Sequence, residues 1–147
     1  FHAQPGNRAA QESRGLGDVY KRQKYKFTPP GAKLPLFPQV SPRLGEVILV
    51  EGIYDVINLH DKGLENTMCC FGTNNINEDK LAMLQMQGIS RVAIFLDGDE
   101  AGQKGATNIQ VMCEKVGLVA RNVYLKDLDP GALTETQVSK LEKKLYA

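Results

Sequence analysis

The chain is short of net charge, short of cysteine and without a long apolar run, and each shortage removes a class of reading. Eighteen basic residues face seventeen acidic ones, for a net charge of +1. A nucleic-acid binder that relies on phosphate neutralisation is usually more basic. Contact with nucleic acid therefore has to run through metal, or through a basic surface that another domain supplies. The three cysteines, Cys69, Cys70 and Cys113, form no CxxC pair, so no zinc is expected in this chain. They are expected to be buried and reduced, with Cys69 and Cys70 on opposite faces of a strand. The odd count fits a reducing cytoplasm. No apolar run approaches the roughly 20 residues that span a bilayer, and residues 1–24 contain no signal-peptide core, so no membrane partner is expected. Walker A, GxGxxG and HExxH motifs are absent, as is any evident Ser/His/Asp or Cys/His set.

What is present suffices for one domain: 147 residues, 42% of them hydrophobic. Residues 1–24 lack an apolar period and read as disordered. Their stretch SRGLGDVYKRQ resembles a translated linker that recurs at reading-frame ends in environmental assemblies, and it is expected to be non-native. Residues 25–45 carry five prolines. Proline fixes φ and removes a donor, so this segment is neither helix nor central strand. It reads as an extended connector packing Phe27, Leu34, Leu36 and Phe37. Residues 46–147 are regular. EVILVE predicts a strand buried on both faces. A helix follows over 55–62, stopped by Gly63, and then a strand over 66–71. Asn75 or Asn77 caps a helix running through Gln87. RVAIFL, 91–96, is a third strand and 101–116 a helix closed by Gly117. LVARNVYL, 118–125, is a fourth strand. A last helix over 134–145 carries a capping box (Thr134, Gln137) and a staple (Leu133, Val138). Four strand–helix alternations predict an α/β fold, a Rossmann-like parallel four-stranded sheet with helices on both faces. Right-handed crossovers then bring every strand's C-terminal end to one edge, where ligands bind.

The acids fall at that edge. Glu51 ends the first strand, Asp97 and Asp99 end the third, and Asp129 follows the fourth. Four carboxylates repel one another unless cations offset them, and Mg²⁺ takes hard oxygen ligands while keeping several waters. Asp97 and Asp99, two apart, share a face in extended geometry, and Gly98 lets the backbone turn between them. Gly52 and Gly102 keep the space open. Competing roles exist for each. Asp99 or Glu100 can simply cap the helix at Ala101. DPG around Asp129 is an ordinary turn sequence. Asp55 suits the first turn of its helix, or can orient a group at the site. Gly72 and Thr73 are a βα turn or backbone donors to phosphate. Lys104 either reaches a phosphate or stays solvated.

VEGIYDVINLHDKG, CCFGTN, VAIFLDGDEAGQKGA and VYLKDLDPGALT, in this order, resemble the toprim domain of bacterial- and phage-type DNA primases and primase-helicases. The likeness covers residues 46–134, and KYKFTPPGAKLPLFP resembles the segment just before it in those primases. The resemblance implies a toprim fold with two or more Mg²⁺ or Mn²⁺ ions. It makes Glu51 a metal ligand or general base, Asp97 and Asp99 metal ligands, Asp129 the acid of the DP motif, and Gly52, Asp55 and Gly72 site-shaping positions. It implies metal-dependent RNA primer synthesis from ribonucleoside triphosphates on single-stranded DNA, a replicative helicase partner (fused or separate), and the cytoplasm of a bacterium or phage-infected cell. Many primases carry a second acid after the Pro of DP, where this chain has Gly131. The chain is expected to be a fragment, inactive in priming by itself. A toprim nuclease, a topoisomerase-like activity and a non-catalytic binding module are the alternatives.

Overall fold

The computed structural model describes residues 34–147, and the readings made for residues 1–33, Phe27 among them, lie outside the described residues. The strands are β1 (Glu46–Val50), β2 (Thr67–Cys69), β3 (Arg91–Ile94) and β4 (Val119–Asn122). The helices are α1 (Ile53–Asp61), α2 (Glu78–Met86), α3 (Glu100–Val116) and α4 (Glu135–Tyr146), with short 3₁₀ turns at Thr73–Asn75 and Pro130–Ala132. The strands form one parallel sheet in the order β2-β1-β3-β4. This is the α/β architecture expected from the sequence.

Alternation along the strands divides the core. Val47, Leu49, Val92 and Ile94 face one way, into a cluster with Leu81 and Leu84 of α2 and Ile109 and Cys113 of α3. Ile48, Val50, Ala93 and Phe95 face the other way, against Val56 and Leu59 of α1 and Val138 and Leu141 of α4. With both faces covered, β1 is apolar from Val47 to Val50, after the buried Glu46 that opens it. Each large apolar side chain so buried stabilises the fold by about 1.5–3 kcal/mol. Cys69, the last residue of β2, and Cys70 just after it fall into opposite clusters, as adjacent residues in extended backbone do. All three thiols are free and buried. Burial pushes the Cys70 thiol up to about 12 and that of Cys113 to about 11.

The ends follow their caps. Asn77 Oδ1 accepts from Lys80 N at 2.9 Å, so Asn77 rather than Asn75 starts α2. Gly117 takes a left-handed φ of 91° and stops α3. Thr134 and Gln137 form the expected capping box. The strands are shorter than the apolar runs suggest. β2 stops at Cys69 because Phe71 and Gly72 both take positive φ, 58° and 104°, and turn the chain out of the sheet. Phe95 still donates its N–H to Leu49 O at 2.8 Å, so β3 loses its regular ladder before it loses its neighbour. The described part of the connector lies beside β2. Phe37 exchanges main-chain hydrogen bonds with Cys69 at 3.0 and 2.6 Å, and Leu36 and Val40 pack on the α2/α3 side. Phe37, expected to be packed away, is 46% exposed.

At the N-terminal edge of the strands the buried Glu46 gathers a polar network. Arg121 of β4 donates to both its oxygens, at 2.9 and 2.7 Å, and Tyr146 Oη donates to Oε1 at 2.8 Å. Asn66 Nδ2 donates to Glu46 O and to Tyr146 Oη. The end of α4 is thereby fastened beneath the sheet. None of the described helices is long and apolar enough to cross a membrane.

Candidate functional site

Glu51 follows β1 and is half-buried. Its carbonyl accepts from Gly72 N at 3.1 Å, which holds the turn after β2 against the end of β1. Its carboxylate is, after burial, the largest influence raising the neighbouring Cys70 thiol. Gly52 N–H donates to Asp55 Oδ2 at 3.1 Å, so Asp55 caps the start of α1 from inside its first turn.

Asp55 is the most perturbed acid of this edge. Its carboxyl is pushed up to about 7, first by burial, then by the charge of Asp129 and a hydrogen bond shared with it, and further by the charge of Asp97. The Gly52 N–H opposes the shift. The 3₁₀ turn at Pro130–Ala132 brings Asp129 here, held against α1 by Asn58 Nδ2 donating to Pro130 O and Leu133 O at 2.9 and 3.1 Å. Gly131 fits between the two acids. A methyl group in its place would lie 2.9 Å from Asp55 Oδ1 and 3.5 Å from Asp129 Oδ1. The glycine that departs from the usual primase pattern is therefore what admits the close approach of Asp55 and Asp129. The sequence placed Asp55 among residues that shape the site; the fold places it with Asp129.

Asp97 and Asp99 have different surroundings. Asp97 is half-buried after β3, and its carbonyl accepts from Gln103 Nε2 at 3.1 Å. Gln103 in turn accepts from Asn122 Nδ2 at 2.7 Å, tying the loop to the end of β4. Asp99 is exposed and caps α3, its Oδ1 accepting from Gly102 N at 2.7 Å. The capping role foreseen as an alternative is thus realised. The glycines are needed for close approach. A Cβ at Gly98 would fall 1.9 Å from Leu125 O, and one at Gly102 would fall 2.2 Å from Asp97 O. Thr73 is also brought in, because its methyl group would sit 2.9 Å from a Cβ at Gly105 of α3. Lys104, next to Gly105, is exposed.

The donor set suits a hard divalent cation. Its carboxylates crowd one another, and a cation relieves what otherwise favours protonating Asp55. Among the described residues no three His, Cys, Asp or Glu side chains are grouped to cage an ion by themselves. Mg²⁺ does not require such a cage, since it is commonly held by one or two carboxylates together with water and phosphate oxygens.

The Toprim domain family model matches residues 45–124. The chain belongs to the toprim domain family. The match ends before Asp129, so the place of that acid rests on the geometry. Among curated proteins, the DNA primase of Chlamydia trachomatis is 34% identical over 74 residues, half of this chain and 12% of that one. The DNA primase DnaG of Nanoarchaeum equitans is 35% identical over 88 residues, 60% of this chain and 22% of that one. This toprim chain thus spans 12% and 22% of the length of these two relatives. The Aquifex aeolicus primase structure, with zinc-binding and RNA polymerase domains, aligns with a TM-score of 0.61 at 27% identity, covering 69% of this chain and 25% of that one. A DnaG primase catalytic domain bound to ssDNA shares the fold, with a TM-score of 0.59 at 22% identity over 86% of this chain and 36% of that one.

Proposed function

We propose that this toprim domain is part of a DNA primase that makes RNA primers on single-stranded DNA by metal-dependent nucleotidyl transfer. The observation that carries the reading is the mutual repulsion of Asp55, Asp129 and Asp97 at the C-terminal edge of the sheet, the edge where Glu51 follows β1 and Asp99 caps α3. The primase relatives supply the reaction class, and the fold neighbour bound to single-stranded DNA supplies the template class. Glu51, Asp97, Asp99 and Asp129 would hold the Mg²⁺ or Mn²⁺ ions, two or more in number. Bound there, such ions neutralise the triphosphate and activate the primer 3′-hydroxyl for in-line attack.

The chain's own residues prepare that edge. Gly52 N–H and Asp129 fix the orientation of Asp55, whose carboxyl is pushed up to about 7 by burial and the charge of Asp129. Gln103 and Asn122 brace the loop of Asp97. Gly72, Thr73 and Lys104 lie where phosphate oxygens would be received. A replicative helicase, fused or separate, and a cytoplasmic setting complete the reading.

The test is binding of a fluorescent ribonucleoside triphosphate to the chain with Mn²⁺ and with chelator. Binding in Mn²⁺ that is lost in chelator, and lost in Asp97→Ala/Asp99→Ala, is expected. Equal binding under all three conditions would contradict the reading.

A further inference from the structure

We propose that Phe71 and Phe37 form a stacking platform for one base of a single-stranded nucleic acid at the rim of the carboxylate edge. This deepens the primase reading and rests on it. The rings have centroids 6.2 Å apart and planes inclined by 35°. Phe37 leaves 46% of its surface in solvent. Phe71 is half-buried and packs on the α1/α4 side of the core, so it backs Phe37, whose exposed ring offers a flat apolar face to a partner.

The placement says which partner. Phe71 immediately precedes Gly72, whose N–H is bonded to the carbonyl of Glu51. The ring is therefore anchored one residue from the turn that touches the proposed metal edge. Phe71 holds a φ of 58°, a left-handed conformation that a bulky residue rarely adopts and that clusters at ligand sites. Phe37 is fixed from the other side by its two main-chain hydrogen bonds to Cys69. Both rings are thus carried on constrained backbone and need little ordering on binding.

Charge decides between nucleic-acid handles. With a net charge of +1 the chain has no basic surplus to neutralise phosphates. Stacking needs no surplus, and it tolerates any sequence because every base has a π-face. A chain poor in basic surplus and crowded with carboxylates can hold a strand through metal at the phosphate and a ring at the base.

The test uses the full chain, Mn²⁺ and a short oligothymidylate, with an abasic oligomer of the same length as control. Phe37→Leu and Phe71→Leu keep apolar volume and remove the ring, and each is expected to weaken oligothymidylate binding about tenfold. Neither should change abasic binding or Mn²⁺ affinity, and retained Mn²⁺ affinity also reports that the variants fold. The chain has no tryptophan, so Phe37→Trp introduces one reporter, whose fluorescence should be quenched on saturation with oligothymidylate but not with the abasic oligomer. Wild-type affinity in both Leu variants, equal affinity for both oligomers, or no oligothymidylate binding by the wild type overturns the platform. A face built to dock a protein gives that outcome. Ring-dependent oligomer binding without Mn²⁺ affinity would keep the platform and remove the reading of the metal edge.

Discussion

The two ends of the sheet treat a buried carboxylate in opposite ways. At the N-terminal edge Glu46, 1% exposed, receives both hydrogen bonds of the Arg121 fork and a third from Tyr146. Its charge is answered inside the fold. At the C-terminal edge the buried Asp55 has a backbone N–H on one side, and the carboxylates of Asp129 and Asp97 press on it. Its charge is answered by a proton, or by a cation from outside. The first arrangement fastens α4 to the sheet. The second holds electrostatic repulsion that a bound cation would relieve, which is why the proposed function is placed there.

Breaking the first arrangement should have the largest effect. Arg121→Met takes away the cation hydrogen-bonded to the buried Glu46 and leaves Arg91 Nε, 4.0 Å from Oε2, as its remaining ion-pair partner, and a loss of about 3 kcal/mol in urea unfolding is expected. This sits at the low end for a broken buried pair because the Arg121 side chain is 36% exposed. Adding Glu46→Gln to that variant should recover part of the loss, and Mn²⁺ affinity should be unchanged in both. A loss below about 0.5 kcal/mol would show that water replaces the fork.

The second arrangement should respond with the opposite sign. The folded-state pKa of Asp55, about 7, lies above the ordinary 3.8, so the native state holds the proton more tightly than the unfolded chain. Its contribution to stability is complete below about pH 4 and is lost as pH rises towards 7. Asp55→Asn, which needs no proton, should therefore stabilise the metal-free chain by about 2 kcal/mol at pH 8 and by almost nothing at pH 4. Thermal melts at the two pH values in chelator measure this. A destabilised variant at pH 8 would contradict the crowding.

Smaller changes sharpen the contrast. Gly131→Ala puts a methyl group 2.9 Å from Asp55 Oδ1 and must push that carboxyl or the Pro130–Ala132 turn aside. A loss of about 1–2 kcal/mol is expected, together with weaker Mn²⁺ binding by titration. Tyr146→Phe removes one of the three hydrogen bonds to Glu46 and should cost about 1 kcal/mol in urea unfolding, with Mn²⁺ binding untouched.

Much of the fold could be read from the sequence because its signals are local. The short apolar run of β1, a cap at Asn75 or Asn77, Thr134 as a cap, and Gly117 as a stop each act within a few residues. The strand ends could not be read, because Phe71 turns out of the sheet with a positive φ that no propensity assigns to phenylalanine. Glu51, Asp97, Asp99 and Asp129 could be placed at one edge from topology alone. Their partners could not. The meeting of Asp55 with Asp129 spans 74 positions of chain and depends on a glycine between them, and the Glu46–Arg121 pair joins residues 75 apart. An apolar strand opening on a buried glutamate, answered by an arginine in another strand, is the signal that would have found the second pair.

The most direct test is calorimetric titration of Mn²⁺ into the wild type, Asp97→Ala/Asp99→Ala and Glu46→Gln at one pH near 8. The expected result is at least about tenfold weaker binding in the double variant, in keeping with the loss of carboxylate ligands, and wild-type affinity in Glu46→Gln. Equal affinity in all three would mean that the C-terminal edge holds no metal.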